Sequence, residues 1–350
     1  MTQPLLSSLV GDPEIGALFS PAAEVRAMLA VEAALADAQG HLGMISQEAA
    51  ESVVAACGAA DLDEASIREG LVRDGVPVPD FVCQLRARIG PPHAGAAHLG
   101  ATSQDIVDTG LMLRLRDVIA VLEARLDAVI GLLDQLFERD GAVDLMAQTR
   151  MQAALPFTAG AKITAWREPL VRASERFRRL REEALAIQLG GPIGDGSSFG
   201  ADFVALRADF ASRLGLADAP PWQASRDRIM EIAAAFALLS GSLGKVGQDI
   251  ALMAQNEVGT VQISGGGGSS AMAHKQNPVG AEVLVALARF NAGMLGILHQ
   301  SMVHENERSG AAWTLEWMVL PQMAETTGAA LRQARRLLQG LSFPAAISRG

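Results

Sequence analysis

The apolar residues of this chain recur at intervals of three and four over four long segments, and this spacing restricts its fold more than any other feature. In the segment from Ile229 to Met253 the two intervals alternate without interruption. Such spacing places the apolar side chains along one side of an α-helix. The four segments run from 111 to 136, from 163 to 187, from 229 to 253 and from 283 to 297.

Helices of this length have to lie side by side. A helix of about 30 residues is about 45 Å long, which exceeds what a compact domain of this size requires, so an elongated bundle is predicted. No segment alternates apolar and polar residues over a useful length, and the chain has no tyrosine. A sheet therefore has little to form from, and the predicted fold class is all-α.

The first bundle helix is apolar on more than one face. Met112, Ile119, Ile130 and Phe137 lie outside its main apolar row. A helix that is apolar on several faces is buried on several faces, and a second subunit is the simplest source of that cover.

The chain divides into three parts. Residues 1–105 are predicted to form a small helical N-terminal domain, because helical spacing from Glu24 to Leu42 is followed by short segments that prolines interrupt. Residues 106–341 are predicted to form the central long-helix bundle, and residues 342–350 a short C-terminal tail.

Composition narrows the class of protein. Of the residues, 49% are hydrophobic, which is enough for a large core, and 39 acidic against 29 basic residues give a net charge of −10. This charge argues against nucleic acids and anionic membranes as partners. Cys57 and Cys83 are the only cysteines, in no spacing typical of metal ligands, so no metal site is predicted. Because no signal peptide or uninterrupted membrane span is found, we expect a cytoplasmic protein.

A glycine run separates the third and fourth bundle segments. Gly265–Gly268 cannot hold a helix and should form a mobile loop, and Asn277 followed by Pro278 predicts that a helix begins there. Lys275 would then stand beside a helix N-terminus, where a cation and free N–H groups attract a carboxylate or phosphate. The alternative is a flexible linker followed by an ordinary capped helix.

The residues that follow carry a family resemblance. Gly268–Pro278 reads Gly-Ser-Ser-Ala-Met-Ala-His-Lys-Gln-Asn-Pro. It resembles the signature loop of the fumarase/aspartase superfamily, Gly-Ser-Ser-x-Met-Pro-x-Lys-x-Asn, with Ala273 where the family has proline. The resemblance implies that Ser269 exchanges the Cα proton of the substrate, with Lys275 assisting.

The same resemblance assigns binding roles. It implies that Lys275 and Asn277 bind a substrate carboxylate and that Ser270 contacts the substrate. A second loop, His98–Asp105, matches the superfamily pattern His-x-Gly-x-Thr-Ser-x-Asp without a gap. This match implies substrate contacts for His98, Thr102 and Ser103, whereas the local residues alone also fit an ordinary capped helix start.

A third segment, Ala147–Pro156, resembles the superfamily stretch Thr-His-x-Gln-x-Ala-x-Pro. Arg150 stands where fumarases, argininosuccinate lyases and adenylosuccinate lyases usually have histidine. Histidine can protonate a poor leaving group, whereas arginine stays charged and can only bind or stabilise an anion. A carboxylate leaving group needs no proton, so Arg150 and Gln152 are predicted to bind the substrate. The alternative is that Arg150 is a solvated surface residue.

A fourth segment points to one branch of the superfamily. Glu307-Arg308-Ser309, then Trp313, then Glu316-Trp317 resembles the Glu-Arg-Ser…Trp…Glu-Trp run of bacterial 3-carboxy-cis,cis-muconate cycloisomerases. The resemblance implies a cycloisomerase of protocatechuate catabolism that needs no cofactor, with Arg308 binding the substrate. Two alternatives stay open: another lyase of the superfamily, such as adenylosuccinate lyase, and a catalytically silent helical scaffold.

The resemblance also concerns assembly. Members of the superfamily are homotetramers in which three chains build each active site, so a homotetramer with shared sites and a small polycarboxylate substrate is expected. Typical relatives carry a further C-terminal helical domain. The printed sequence leaves little room for it after Pro344, so this domain is expected to be truncated.

Overall fold

The computed structural model describes residues 4–59, 61–265, 267–268, 272 and 275–344. The helices in these residues are α1 (Pro4–Val10), α2 (Pro13–Ala17), α3 (Pro21–His41), α4 (Gln47–Gly58), α5 (Glu64–Asp74), α6 (Val78–Ile89), α7 (Ser103–Asp140), α8 (Ala159–Arg179), α9 (Phe203–Leu214), α10 (Asp227–Met253), α11 (Val279–Leu298) and α12 (Gly310–Gln339). The strands are β1 (Asp144–Thr149), β2 (Gln152–Thr158), β3 (Gln262–Ile263) and β4 (Leu341–Ser342).

The long helices pack side by side as a bundle. Helix α10 lies along α11 and α8, α12 lies along α7, α10 and α11, and α7 lies along α8. The predicted apolar rows are the core, since Leu115, Leu122, Leu126 and Leu133 of α7 are all fully buried. Burial of that row against neighbouring helices stabilises the bundle by about 1.5–3 kcal/mol for each large side chain. The predicted all-α class is therefore confirmed.

Helix α12 is a bundle helix that the apolar spacing does not predict. Its 30 residues include a buried stretch of small side chains, Thr326-Thr327-Gly328-Ala329-Ala330. Small residues let neighbouring helices approach closely but give little apolar contrast along the sequence. Close packing here follows from Gly328, where an added Cβ would lie 2.5 Å from Ile15 Cδ1.

The N-terminal elements cover the start of α7. Helix α3 packs against α4 on one side and α7 on the other. Met112 and Ile119 are fully buried within this one chain, whereas Phe137 near the end of α7 is 48% exposed. The expectation that Met112 and Ile119 need a second subunit for cover is therefore wrong. The division at residue 105 stays a prediction.

A β-hairpin follows α7, although the sequence predicted no sheet. Strands β1 and β2 pair antiparallel, with Thr149 opposite Gln152, and the turn residues Arg150 and Met151 both have positive φ, 48° and 65°. The sequence hides this hairpin because its strands have few β-branched residues and its turn lacks glycine and asparagine.

The segment before α11 is also different from the prediction. Helix α11 begins at Val279, and Asn277 makes no capping hydrogen bond. Instead the backbone of Asn277 pairs with that of Gly267, with N–O distances of 2.8 and 3.0 Å. This pairing holds Asn277 outside the helix, so its prediction as N-cap is wrong.

Among the residues that the structure describes, two stretches are long and apolar enough to cross a membrane. They are Asp227–Met253, in which 61% of the most apolar window is buried, and Val279–Met302, in which 33% is buried. The core helix of a globular protein has the same length and composition as a membrane span. The first stretch is such a helix, whereas the second leaves Phe290 and Ile297 about two-fifths exposed, at 41% and 38%.

Candidate active site

The loop that starts with His98 is anchored by a buried carboxylate. Both oxygens of Glu32 contact this one residue: Oε1 lies 2.6 Å from His98 Nδ1, and Oε2 accepts from the His98 backbone N–H at 3.0 Å. His98 has a φ of 62°, a conformation that a histidine holds only with such support. Because Glu32 is 1% exposed, it fixes one edge of the imidazole and leaves Nε2 as the nitrogen available to a ligand.

Thr102 and Ser103 stand at the first turn of α7. Thr102 is the N-cap, and its backbone N–H donates to Asp105 Oδ2 at 3.0 Å in a capping box. Ser103 is the first residue of the helix, and both are half-buried. The N-terminus of a helix favours an anion, so this end of α7 suits a substrate carboxylate.

Asp105 ties this helix start to a glycine-rich turn. Besides Thr102, its carboxylate accepts from Gly190 N at 2.8 Å, Gly191 N at 3.0 Å and Gln188 Nε2 at 3.1 Å. Gly191 has a φ of 72°, which glycine adopts at no steric cost. These hydrogen bonds therefore hold the turn that follows α8 against the start of α7, next to Thr102.

The buried carboxyl of Asp105 gives folding a pH dependence. Burial raises its pKa from 3.8 to about 6, although the four N–H donors oppose this. An acid with a higher pKa in the folded state binds its proton more readily when folded. The contribution of the Asp105 carboxyl to the free energy of unfolding is therefore complete below about pH 4 and is lost as the pH rises through 6.

Urea unfolding of the wild type and Asp105→Asn from pH 4 to pH 7 measures this effect, because other carboxyl groups cancel in the difference. The wild type is expected to lose about 2 kcal/mol relative to the variant between about pH 4 and pH 6. Parallel stability curves for the two proteins would contradict the prediction.

Arg308 joins the same cluster from the loop before α12. Its Nη2 donates to Thr102 Oγ1 at 3.1 Å and to the Pro192 carbonyl at 3.3 Å, and its Nε donates to Gln104 Oε1 at 3.0 Å. Nη1 makes no hydrogen bond within the described part of the chain. The exposed guanidinium can therefore take a carboxylate beside Thr102.

A buried charge network lies behind this cluster. Arg226, 1% exposed, donates from Nη1 to Asp108 Oδ2 at 2.6 Å and from Nε to Glu316 Oε1 at 2.9 Å. Trp313 Nε1 also donates to Asp108 Oδ1, at 2.9 Å. Burial alone would lower the pKa of Arg226, but the two carboxylates hold it above its usual value. The network fixes α7, α10 and α12 to one another beneath the loops.

Lys275 and Asn277 lie elsewhere. Lys275 is exposed and lines an open groove of about 1000 Å³ between α10 and α11, and Asn277 lines both this groove and a cavity of about 620 Å³. Arg139, one residue before the end of α7, borders that same cavity. Ser269, Ser270 and Ala273 lie outside the described residues.

Arg150 and Gln152 are on the hairpin, and both are exposed. The hairpin begins four residues after Asp140, so it also follows the far end of α7.

The predicted site residues therefore form two groups at opposite ends of one helix. The group at the start of α7 consists of His98, Thr102, Ser103 and Arg308. The group near its end consists of Arg150, Gln152, Lys275 and Asn277. The 38 residues of α7 span about 57 Å. One chain does not bring the two groups to a single small molecule.

Comparison with known proteins identifies the family. Residues 13–290 match the model of a family described as lyase. The chain belongs to this lyase family. Within the lyase family, a 3-carboxy-cis,cis-muconate cycloisomerase from Pseudomonas aeruginosa is 38% identical over 336 residues, which cover 94% of this chain and 73% of the relative.

Solved lyase structures have the same fold. The crystal structure of the 3-carboxy-cis,cis-muconate lactonizing enzyme from Pseudomonas putida matches with a TM-score of 0.90 and 35% identity, covering 98% of this chain and 78% of that one. The fumarate lyase from Mesorhizobium sp. BNC1 matches with a TM-score of 0.89 and 30% identity, covering 95% and 76%. The predicted fumarase/aspartase-like fold is confirmed.

Several residues of the candidate site were not predicted from the sequence. Glu32 lies in the apolar row of α3, where a carboxylate among core positions is itself a signal of a buried partner. Gln104 lies inside the matched loop between Ser103 and Asp105, at a position that the family pattern leaves open. Arg226 has no local signal, because its partners Asp108 and Glu316 are distant in sequence.

Proposed function

We propose that this chain is a 3-carboxy-cis,cis-muconate cycloisomerase, which interconverts 3-carboxy-cis,cis-muconate and a carboxymuconolactone in protocatechuate catabolism by the β-ketoadipate pathway. The observation that carries the proposal is the identity of 38% with a cycloisomerase of that name over 94% of this chain. Arg150 supports it further, because a fixed cation suits a carboxylate that leaves without a proton.

The reaction needs one proton transfer and one carbon–oxygen bond. In the lactonising direction a substrate carboxylate oxygen bonds to one alkene carbon, and the Ser269 hydroxyl gives a proton to the other, which is alpha to another carboxylate. The Ser269 alkoxide then takes a proton from solvent. In reverse, Ser269 removes that proton and the carbon–oxygen bond breaks. Because substrate and product are isomers, the chemistry balances without a cofactor.

The charges needed for this step come from the two groups of site residues. A serine alkoxide and the developing aci-carboxylate both require stabilisation, for which Lys275 is the nearest cation in the sequence. Arg308, Thr102 and the N-terminus of α7 offer a second place for a carboxylate. A tricarboxylate suits a site with several separate cationic contacts.

The site is shared between chains of a homotetramer. Support comes from the length of α7, which separates Thr102 from Asn277 within one chain, and from the exposed apolar side chains of α11. A neighbouring copy covers that apolar face and brings its own Lys275 loop to the Thr102 end. Arg150 and Gln152 complete the site from an exposed hairpin in the same manner.

The net charge of the chain bears on its cellular location and its partners. A net charge of −10 fits a cytoplasmic enzyme of a small anionic substrate, with neither nucleic acid nor membrane as partner. The substrate is held by local cations within an acidic protein.

Incubation with 3-carboxy-cis,cis-muconate is expected to remove its diene absorbance, because lactone formation consumes one double bond. Fumarate and adenylosuccinate serve as competing substrates in parallel assays. Hydration of fumarate requires a general base that takes a proton from water, and cleavage of adenylosuccinate requires a proton donor for the leaving amine. Arg150 can serve as neither, so kcat/KM for both should be at least about a hundredfold lower.

Variants at position 150 separate the two kinds of chemistry. Arg150→Lys keeps the charge and should retain more activity on the muconate at high pH than Arg150→His, which is neutral there. Efficient turnover of fumarate or adenylosuccinate, with none of the muconate, would overturn the proposed function.

A further inference from the structure

Gln104 is a fully buried amide in which both N–H donors and the carbonyl oxygen have a partner. Its Nε2 donates to Asp108 Oδ2 at 3.1 Å and to the Gln223 carbonyl at 2.8 Å, and its Oε1 accepts from Arg308 Nε at 3.0 Å. A buried amide whose nitrogen and oxygen both have partners is held in one arrangement, because turning it over would bring donor against donor and acceptor against acceptor.

The partners also determine which way the amide faces. A carboxylate and a carbonyl can only accept, so the NH₂ group has to point at Asp108 and Gln223. The Oε1 atom then points at Arg308, whose guanidinium can only donate. Asp108 cannot turn away, since Arg226 and Trp313 hold both of its oxygens. The fixed position of Asp108 therefore determines the orientation of the Gln104 amide.

We infer that Gln104 is a positioning residue for the substrate: it fixes the guanidinium of Arg308 beside Thr102 so that the free edge of that guanidinium binds a substrate carboxylate. The inference rests on the proposed function for the identity of the substrate. Arg308 is exposed and belongs to a loop, so without Gln104 it keeps only its weaker contacts with Thr102 Oγ1 and the Pro192 carbonyl, at 3.1 and 3.3 Å.

A purely structural role for Gln104 makes a different prediction. In that case its loss would weaken the packing of α7 against the loop near Gln223, and activity would fall whether or not Arg308 is present. If Gln104 acts through Arg308, its loss should matter only when Arg308 is there. A double-mutant cycle separates these two cases.

The cycle compares the wild type, Gln104→Met, Arg308→Ala and the double variant with 3-carboxy-cis,cis-muconate. Gln104→Met keeps the side-chain length and removes the acceptor, so KM is expected to rise about tenfold or more with kcat changed little. In the Arg308→Ala background the same substitution should change KM less than about twofold. An equal rise in both backgrounds would overturn the inference.

A second variant guards against a general loss of folding. Gln104→Glu keeps an oxygen toward Arg308 but turns another toward Asp108 and the Gln223 carbonyl. It should lower the urea midpoint more than Gln104→Met does, yet leave KM close to the wild-type value. If KM instead follows the urea midpoint across the two variants, Gln104 has only a structural role and the inference fails.

The control is Gln333→Met, which removes another buried amide, one that donates to the Leu9 carbonyl at 2.8 Å. It should leave KM unchanged. A wild type without activity on the muconate would refute the proposed function alone. The urea midpoints of the same cycle would then test the inference: Gln104→Met should shift the midpoint less when Arg308 is absent, and equal shifts would overturn it.

Discussion

Ser269→Ala is expected to lower kcat on 3-carboxy-cis,cis-muconate by at least about a thousandfold, the effect of losing a group that transfers the Cα proton. The hypothesis follows from the match of Gly268–Pro278 with the superfamily signature loop. Because the substitution removes one oxygen atom and no large side chain, the melting temperature should stay nearly the same. Steady-state kinetics and thermal unfolding of the same preparation measure both quantities.

Ser264→Ala provides the matched control. Ser264 precedes the same glycine run, and its Oγ donates to the Gly340 carbonyl at 3.1 Å on an exposed surface. This variant should keep nearly full activity. If Ser269→Ala retains more than about a tenth of the wild-type kcat, Ser269 does not carry the proton.

Mixed assemblies extend this test to the sharing of sites. Ser269→Ala changes the loop that carries Lys275, and Arg308→Ala changes the cluster at the start of α7. If different chains contribute these two parts to one site, a hybrid oligomer should contain some sites with both residues intact. Co-expressed and purified hybrids are expected to be more active than the mean of the two separate variants. Activity equal to that mean would indicate that each chain builds its own site.

Arg226→Met is expected to lower the free energy of unfolding by about 3–5 kcal/mol, the loss typical of breaking a buried ion pair from one side. The arginine is 1% exposed and contacts two carboxylates, Asp108 and Glu316, that are themselves buried. Methionine fills much of the volume but leaves Asp108 without its arginine partner and Glu316 with only the His304 imidazole, whose Nε2 lies 3.8 Å from Oε1. Urea denaturation at pH 7 measures the loss.

Arg178→Met is the comparison for this prediction. Arg178 pairs with Glu182 on the surface at 3.0 Å, with both side chains more than half exposed. Exposed pairs contribute about 0–1 kcal/mol, so this variant should differ little from the wild type. A similar small loss for Arg226→Met would mean that water or a rearranged partner compensates the buried carboxylates.

The parts of the fold that local sequence could predict are those that repeat. The apolar rows of α7 and α10 recur over many turns, so one spacing error does not hide them. The hairpin was missed because its strand pairing depends on a two-residue turn, Arg150-Met151, without a turn signature. Helix α12 was missed because small residues, Thr326–Ala330, interrupt the large apolar side chains of its buried face.

The candidate site also contains some residues that the sequence could predict and others that it could not. Thr102 and Arg308 were predicted from the family motifs, and the structure brings these two together at 3.1 Å. Gln104 and Glu32 were not, since only the folded chain shows what a buried polar side chain faces. Asn277 was assigned a capping role that the strand-like pairing with Gly267 replaces. Pairings between distant segments have no local signal.

The two turn residues of the hairpin lower the stability of this chain, and one of them is proposed to bind the substrate. Arg150 and Met151 both hold positive φ angles, which cost about 1 kcal/mol or more for each residue that is not glycine. Arg150→Asn together with Met151→Gly would suit the turn and raise the melting temperature. The same pair of changes removes the guanidinium proposed to bind the substrate. Selection of this protein for heat tolerance alone would therefore favour loss of Arg150. Directed evolution of this turn has to screen for turnover as well as for melting temperature.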